Sequence, residues 1–222
     1  MAARKGSVLI LGTSRIGAAL AQRLAAKEFG LHFAGRDEAT LKALTQQYSG
    51  STASVFDASK YDTIEAAVKS AAQSFKEAGS PFAGLAYCVG SIPLKSLRAA
   101  KPEEFESTFA INVVGAAVAL KSAAGHLAKA PGGGSAVFFS SIAATTGFPM
   151  HTVIAASKAG LEGFVRSAAA ELSPGIRCNL IAPSLTDTPL AARLLSSDTA
   201  KAAMGKLHPL PRVGTADDQV VH

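Results

Sequence analysis

The sequence predicts an α/β fold: a doubly wound parallel β-sheet with helices on both faces, in three α/β/α layers. The chain has 222 residues, a length that favours one domain covering 1–222. Short apolar runs alternate along it with longer amphipathic stretches, which is typical of parallel strands joined by crossover helices. The apolar runs lack a polar/apolar alternation, as expected for strands that are buried on both faces.

Six apolar runs, bounded by turn-forming residues, are the predicted strands. They cover Ser7–Leu11, 31–34, 53–56, 84–89, 136–140 and Ile176–Ile181. The amphipathic stretches between them predict helices. These helices cover 15–29, 38–48, 63–78, 102–128 and Thr152–Leu172. After Pro183 the sequence predicts a short helical piece at 190–195 within a small lobe around 186–212 that lies on the sheet.

Composition excludes several classes of protein. Hydrophobic residues make up 48% of the chain and charged residues 17%, so the chain has enough apolar surface to fold and is not disordered. The longest apolar stretch, 113–120, is far shorter than the ~20 residues of a membrane span. The apolar run after the basic N-terminus ends at Gly12, too soon for a secretory signal. We therefore expect a cytoplasmic protein without a membrane partner.

The net charge of +6 is compatible with nucleic acid or with a small anionic ligand. The basic residues are scattered, with no Lys/Arg run beyond Arg4 and Lys5, so we expect no nucleic-acid partner. An anionic small molecule needs only a few local positive charges. The two cysteines, Cys88 and Cys178, show no metal-ligand spacing, and no metal site is predicted.

A glycine-rich turn connects the first predicted strand to the first helix. Gly12 and Gly17 enclose Thr13, Ser14, Arg15 and Ile16. Such a turn allows backbone N–H groups and the helix N-terminus to approach a pyrophosphate. Gly12, Ser14, Arg15, Ile16 and Gly17 are therefore candidate cofactor-binding residues. A tight turn that binds no ligand is the alternative interpretation.

The end of the second strand suggests which dinucleotide is bound. A cofactor with a free ribose 2′-OH usually meets an acidic residue here, but the sequence has Gly35 followed by Arg36. The positive charge of Arg36, with Arg15 nearby, suits a 2′-phosphate, so NADP is favoured over NAD. Arg36 as a solvated surface charge is the alternative. Asp37 either caps the next helix or binds a ribose.

With these features the sequence resembles the short-chain dehydrogenase/reductase family, from Ser7 to about residue 218. The resemblance implies a Rossmann sheet with strand order 3-2-1-4-5-6-7, and hydride transfer between C4 of a nicotinamide and a carbonyl or alcohol. Asn112 matches the helix residue that supports a catalytic water, Ser141 the catalytic serine, and Lys158 the catalytic lysine. Taken one at a time, each residue also has a structural alternative. Asn112 could cap a helix, Ser141 could end a strand, and Lys158 could be a solvated charge on a helix.

The cofactor-binding segments match less completely. The Gly12–Gly17 loop is one residue shorter than the family pattern and lacks its middle glycine. Asp57 matches the residue that holds the adenine, and Thr188 the one that contacts the carboxamide. Of the family's NNAG segment only Gly90 is retained. Pro183 and Ser184 resemble the proline and glycine that follow the sixth strand.

The family's catalytic tyrosine lies four residues before the lysine, and this position is Ile154. Isoleucine cannot protonate the alkoxide that hydride delivery to a carbonyl creates. Three interpretations stay open. Another donor replaces the tyrosine: His151, whose ordinary pKa suits the task, Thr152, or a water. The substrate is an activated double bond that is protonated by water. Or the protein binds NADP(H) without turnover, as a sensor or partner subunit. For His151, a capping or exposed loop residue is the structural alternative.

The resemblance also implies a homodimer or homotetramer that forms through two long helices, 102–128 and Thr152–Leu172. The second of these presents Ala155, Ala159 and Gly163, which permit close helix packing. The same small residues are equally compatible with packing against the sheet. The partner for chemistry is a small-molecule substrate whose identity the sequence does not reveal.

Overall fold

A six-stranded, fully parallel sheet forms the centre of the protein, with strand order β3-β2-β1-β4-β5-β6. The computed structural model describes residues 5–220. The strands are β1 Ser7–Leu11, β2 Gly30–Gly35, β3 Thr52–Val55, β4 Phe82–Tyr87, β5 Gly134–Phe139 and β6 Ile176–Ile181. The α/β fold and its strand order are as predicted. A seventh strand does not occur within the described residues.

Within residues 5–220, seven α-helices surround the sheet. They are α1 Arg15–Ala26, α2 Glu38–Gln47, α3 Tyr61–Glu77, α4 Pro102–Phe109, α5 Gly115–Leu127, α6 Thr152–Leu172 and α7 Asp198–Gly205. The predicted helix 102–128 is not uniform, because a π-helical turn at Ala110–Val114 separates α4 from α5. The predicted helical piece at 190–195 is instead a 3₁₀ turn at Pro189–Ala191, and the sequence reading missed α7.

Two apolar cores give the protein its three layers. Alternate β1 residues point to opposite faces: Leu9 belongs to the core beneath α3, α5 and α6, and Ile10 to the core beneath α1 and α2. Burial on both faces explains why the predicted strands lack polar alternation.

The continuous helical segment Pro102–Leu127 is, among the described residues, the one helix long and apolar enough to cross a membrane by length and composition. Its α5 part packs on the sheet, with Ala116, Ala119, Ala123 and Leu127 fully buried. This is the burial pattern of a core helix in a globular domain.

The lobe after β6 is fastened to the sheet edge by local contacts. A parallel bridge pairs Thr186 with Gly214, and Ser197 caps α7 by accepting a hydrogen bond from the Ala200 N–H. The lobe thereby lies at the carboxyl ends of the strands, where open α/β sheets bind their ligands.

Candidate active site

Gly90, Asn112 and Lys158 meet at the carboxyl end of the sheet. A Cβ atom built on Gly90 would lie 3.2 Å from Asn112 Oδ1 and 3.4 Å from Lys158 Nζ. These three residues come from the loop after β4, the π-helical turn and α6. The structure therefore brings together residues that lie up to 68 positions apart in the chain.

Asn112 is held rigidly within its helix. Its Oδ1 accepts from the Ser91 N–H at 3.1 Å, and its Nδ2 donates to the Ser91 carbonyl at 3.3 Å and to Ser157 Oγ at 3.0 Å. Asn112 lies in the π-helical turn, and the Tyr87 hydroxyl donates to the neighbouring Ile111 carbonyl at 2.7 Å. Such turns are common at functional sites. Asn112 is fully buried and does not cap a helix end.

Lys158 is buried, not solvated. Its Nζ donates to the Phe139 carbonyl, at the end of β5, over 2.6 Å. Burial lowers the pKa of Lys158 from 10.5 to about 8, because the charged ammonium group loses its hydration. The structure therefore excludes the interpretation of Lys158 as a surface charge.

Ser141 and His151 take local roles in this structure. Ser141 Oγ accepts from the Ala143 N–H at 3.2 Å, and Ser141 begins a 3₁₀ turn just after β5. This local hydrogen bond at the strand end is the structural alternative to a catalytic role. His151 precedes α6, and its Nδ1 bonds the Pro149 carbonyl at 2.7 Å. No hydrogen bond within residues 5–220 joins His151 to Ser141, Asn112 or Lys158. Ile154 is buried and carries no polar side-chain atom.

The glycine turn after β1 is tight and open to a ligand. Gly12 has φ +93°, and a Cβ on Gly17 would lie 2.0 Å from the Gly12 carbonyl oxygen, so a side chain at Gly17 would displace the turn. Ser14 is extended and makes no side-chain bond to α1. The N–H groups of Arg15 and Ile16 in the first turn therefore face outward without a helical partner.

The carboxyl ends of β2 and β3 place Arg36 near Asp57. The Ser59 backbone and hydroxyl hydrogen bonds, with a smaller contribution from the Arg36 charge, lower the pKa of the Asp57 carboxyl. Asp37 caps α2: its carboxylate accepts from the Thr40 N–H and hydroxyl. Of the two roles left open for Asp37, the structure shows the cap. Arg36 itself is exposed.

Arg15 points across the cleft toward the loop after β6. Its Nη1 lies 3.3 Å from Asp187 Oδ1 and donates to the Asp187 carbonyl at 3.4 Å. Lys201 on α7 binds the other carboxylate oxygen of Asp187 at 2.5 Å. Thr188, half-buried, precedes the 3₁₀ turn at Pro189–Ala191. The glycine turn and the lobe thus enclose one cleft.

Sequence reasoning missed His208, which contacts Ser184 in this cleft. Ser184 Oγ and His208 Nε2 are 2.7 Å apart. The two residues are 24 positions apart with no characteristic spacing, so no sequence signal joins them. The sequence gives one indication that this position is unusual: Ser184 follows Pro183 where the short-chain dehydrogenase/reductase pattern has glycine.

The residues of this cleft fit a nicotinamide dinucleotide. The open first turn of α1 suits a pyrophosphate. Beside Asn112, the buried Ser91 Oγ has no hydrogen-bond partner among the residues that the structure describes, and Lys158 offers a buried cationic donor.

Comparison with known proteins supports this assignment. The family model described as "Enoyl-(Acyl carrier protein) reductase" matches residues 11–220. A tropinone reductase homolog of Arabidopsis thaliana is 30% identical over 212 residues, which cover 93% of this chain and 79% of the relative. An L-rhamnose 1-dehydrogenase (NAD(P)(+)) of Azotobacter vinelandii is 30% identical over 96% of this chain and 85% of its own length.

Solved structures agree with the sequence relatives. A short-chain type dehydrogenase/reductase from Mycobacterium ulcerans superposes with a TM-score of 0.85 at 27% identity, covering 98% of this chain and 81% of that chain. A gluconate 5-dehydrogenase from Burkholderia cenocepacia, in complex with NADP and tartrate, shares the fold with a TM-score of 0.85 at 22% identity, covering 98% and 86% of the two chains. The fold, the site residues and these relatives together show that the chain belongs to the short-chain dehydrogenase/reductase family.

Proposed function

We propose that this protein is an NADP(H)-dependent oxidoreductase with a non-standard active site, which has Ile154 in place of the family's tyrosine. The observation that carries the proposal is the Gly90–Asn112–Lys158 cluster, at the same end of the sheet as the open glycine turn. When bound, the nicotinamide supplies or accepts a hydride at a carbonyl, an alcohol or an activated double bond.

Different residues of the cleft would bind different parts of the cofactor and the substrate. The first-turn N–H groups of α1 and the Arg15 guanidinium would hold the pyrophosphate, with Arg15 exchanging Asp187 for phosphate oxygens. Lys158 Nζ would donate to the nicotinamide ribose, as the family resemblance implies. Thr188 would contact the carboxamide, and Ser141 the substrate oxygen. Ser141 Oγ accepts from the Ala143 N–H, and this bond leaves the Ser141 O–H available to donate to a substrate oxygen.

Arg36 supports the choice of NADP. It follows β2 directly and is exposed. The two carboxylates near it are engaged elsewhere, because Asp37 caps α2 and Asp57 accepts hydrogen bonds from Ser59. The guanidinium group is suited to a phosphate through paired N–H donors. The arrangement therefore favours a 2′-phosphate at this position.

Replacing Arg36 with alanine is expected to raise the Kd for NADPH about 10- to 100-fold, the loss of a hydrogen-bonded charge pair. The Kd for NADH should change less than about twofold, because NADH has no 2′-phosphate. Isothermal titration of both cofactors measures the effect. Arg23→Ala, at an exposed position in the last turn of α1, is the matched control. An equal loss for both cofactors would contradict the 2′-phosphate role of Arg36.

A non-catalytic NADP(H)-binding protein is the second candidate, favoured by the buried Ile154. Both candidates predict cofactor binding, and one predicts turnover. The wild type would be assayed with NADPH and a panel of cyclic ketones, ortho-quinones and enones. Turnover in the wild type supports the oxidoreductase. Binding without turnover, with activity that appears in Ile154→Tyr, supports the non-catalytic protein. Absence of binding by NADPH and NADH contradicts both.

A small molecule with an oxidisable alcohol or a reducible carbonyl is the substrate class that the relatives suggest. One relative is named for tropinone reduction and another for rhamnose dehydrogenation. These substrates differ greatly in polarity, so the comparison supports the reaction type and not one compound. A cytoplasmic location, without nucleic acid or a membrane as partner, remains part of the proposal on the composition of the chain.

A homodimer or homotetramer completes the proposal. Helices α5 and α6 carry small residues with open space around them, among them Gly125 and Gly163, and the exposed Val114 lies in the π-helical turn before α5. Light scattering coupled to gel filtration should give a mass of two or four times 22.5 kDa. We expect Gly163→Arg on α6 to shift this mass toward 22.5 kDa, and an unchanged mass would place the interface elsewhere.

A further inference from the structure

Ser184 and His208 form a hydrogen-bonded pair that the family's catalytic residues do not include. Ser184 Oγ lies 2.7 Å from His208 Nε2, and His208 Nδ1 lies 3.0 Å from the Met204 carbonyl oxygen. Ser184 follows β6, and His208 follows α7 in the lobe. Both side chains are half-buried, so the pair is partly shielded and still within reach of solvent.

The Met204 carbonyl determines the tautomer of His208. A carbonyl oxygen only accepts, so His208 Nδ1 carries a hydrogen and donates to it. In the neutral imidazole, Nε2 then has a free lone pair and accepts the Ser184 O–H. In the imidazolium, Nε2 donates and Ser184 Oγ accepts. The hydroxyl of Ser184 satisfies both protonation states, as a group that passes a proton must.

The segment that leads into Ser184 is paired with the segment that contains the candidate catalytic serine. The Ser140 N–H donates to the Ile181 carbonyl at 2.7 Å, and the Ile142 N–H donates to the Pro183 carbonyl at 3.0 Å. These two bonds hold the segment around Ser141 against the segment that leads into Ser184. Ser141 and Ser184 therefore lie on two segments that are hydrogen-bonded to each other at the carboxyl end of the sheet.

We propose that Ser184 delivers the proton to the substrate oxygen and that His208 supplies it, in place of the tyrosine that Ile154 replaces. The inference rests on the proposed oxidoreductase function. With the cofactor bound, the nicotinamide would supply a hydride to the carbonyl carbon, and the electron pair of the carbonyl π bond would then lie on the substrate oxygen. Ser184 O–H transfers its proton to that oxygen and takes one from His208 Nε2. The neutral imidazole is then reprotonated from solvent, and oxidation runs the same path in reverse.

Two ion pairs lie in the part of the chain that contains His208. On α7 and in the loop after β6, Lys201 pairs with Asp187. In the segment after His208, Arg212 pairs with Asp218. Lys206 follows α7 immediately. Within residues 5–220 no carboxylate forms an ion pair with His208.

The test compares Ser184→Ala and His208→Gln with the wild type, using NADPH and an ortho-quinone or cyclic ketone. We expect each variant to lower kcat about 100-fold, within the usual contribution of an acid–base group, with the Kd for NADPH unchanged. The pH profile of kcat for reduction should differ between the wild type and His208→Gln, because glutamine has no proton to supply to Ser184. Added imidazole should restore part of the activity of His208→Gly.

His126→Gln, at an exposed position on α5, is the control and should match the wild type. His151→Gln tests the alternative donor. Loss of activity in His151→Gln with wild-type activity and pH profile in His208→Gln would overturn the relay while leaving the oxidoreductase in place. Failure of the wild type to bind NADPH would overturn the function and the relay together. Binding without turnover would overturn the relay and leave cofactor binding.

A measurement without substrate tests the same geometry. Nitrogen-15 NMR of the histidine side chains should show His208 as the Nδ1–H tautomer, with its Nε2 signal shifted in Ser184→Ala and the other histidines unchanged. An Nε2–H tautomer in the neutral wild type would overturn the relay, because Nε2 could not then accept from Ser184.

Discussion

Replacing Lys158 with methionine is expected to stabilise the folded protein at neutral pH while weakening its binding of NADPH. Lys158 is 6% exposed, and burial lowers its pKa from 10.5 to about 8. At pH 7 the lysine is charged in the folded and unfolded states, so folding carries the desolvation cost, about 3 kcal/mol for this shift. Lys158→Met removes this cost, but it also removes the hydrogen bond from Lys158 to the Phe139 carbonyl. The loss of that bond destabilises the variant by about 1–3 kcal/mol. We expect a net gain of about 1 kcal/mol in the free energy of unfolding.

The sign of the pH dependence follows from the same lowered pKa. Between about pH 8 and 10.5 the unfolded chain keeps a proton on Lys158 that the folded chain has lost. Folding is therefore favoured increasingly as pH rises through this window. Urea denaturation of both proteins at several pH values should show the wild type gaining about 3 kcal/mol relative to Lys158→Met. Below this window the difference should be constant.

Lys121→Met, at an exposed position on α5, is the matched control and should show no such pH-dependent difference. Titration with NADPH should give a Kd raised about 10- to 100-fold in Lys158→Met, the loss of a hydrogen bond from a charged donor. A Lys158→Met protein that binds NADPH as tightly as the wild type would remove Lys158 from the cofactor site. A buried charge that costs stability is the pattern of a residue retained for function.

Mild acid is expected to destabilise the protein through His32, a residue with no part in the cleft. His32 is fully buried on β2, where Nδ1 bonds Thr52 Oγ1 at 2.8 Å and Nε2 bonds Ser54 Oγ at 2.9 Å, both on β3. The ring also meets Phe75 edge-on. Burial lowers the pKa of His32 from 6.5 to about 4, because the imidazolium would lose its hydration there.

Above pH 6.5 His32 is neutral in the folded and unfolded states, so it does not make the free energy of unfolding depend on pH. Between about pH 6.5 and 4 the unfolded chain binds a proton that the folded chain does not, so stability falls as pH falls through this window. At pH 5 we expect a loss of about 2 kcal/mol relative to pH 7. Urea denaturation at pH 5 and 7 measures it.

His32→Gln supplies a side chain that bonds Thr52 and Ser54 without titrating in this range. Its stability at pH 7 should lie below that of the wild type because of imperfect packing, and the gap should close by about 2 kcal/mol at pH 5. His126→Gln on α5 is the control for a surface histidine. A gap that stays constant between pH 7 and 5 would show that His32 does not titrate with a lowered pKa.

The order of strands and helices could be predicted because it is encoded locally. Each apolar run, such as Ser7–Leu11 or Ile176–Ile181, carries its own signal for a strand that is buried on both faces. The glycine turn after β1 is equally local, since Gly12 and Gly17 are required by backbone geometry. Asn112 and Lys158 were identified by family resemblance, and the structure shows that they meet.

The remaining features depend on contacts between distant parts of the chain. From the sequence, Asp37 was compatible with a helix cap or a ribose ligand. The structure shows the cap, because the Thr40 N–H and hydroxyl donate to the Asp37 carboxylate. Arg15 and Asp187 are 172 positions apart, and folding brings them within 3.3 Å. Ser184 and His208 meet because β6 and the lobe after α7 converge at the sheet edge. Hydrophobic pattern and turn chemistry determine which elements form, whereas the protonation and pairing of polar side chains depend on burial and on neighbours that tertiary packing supplies.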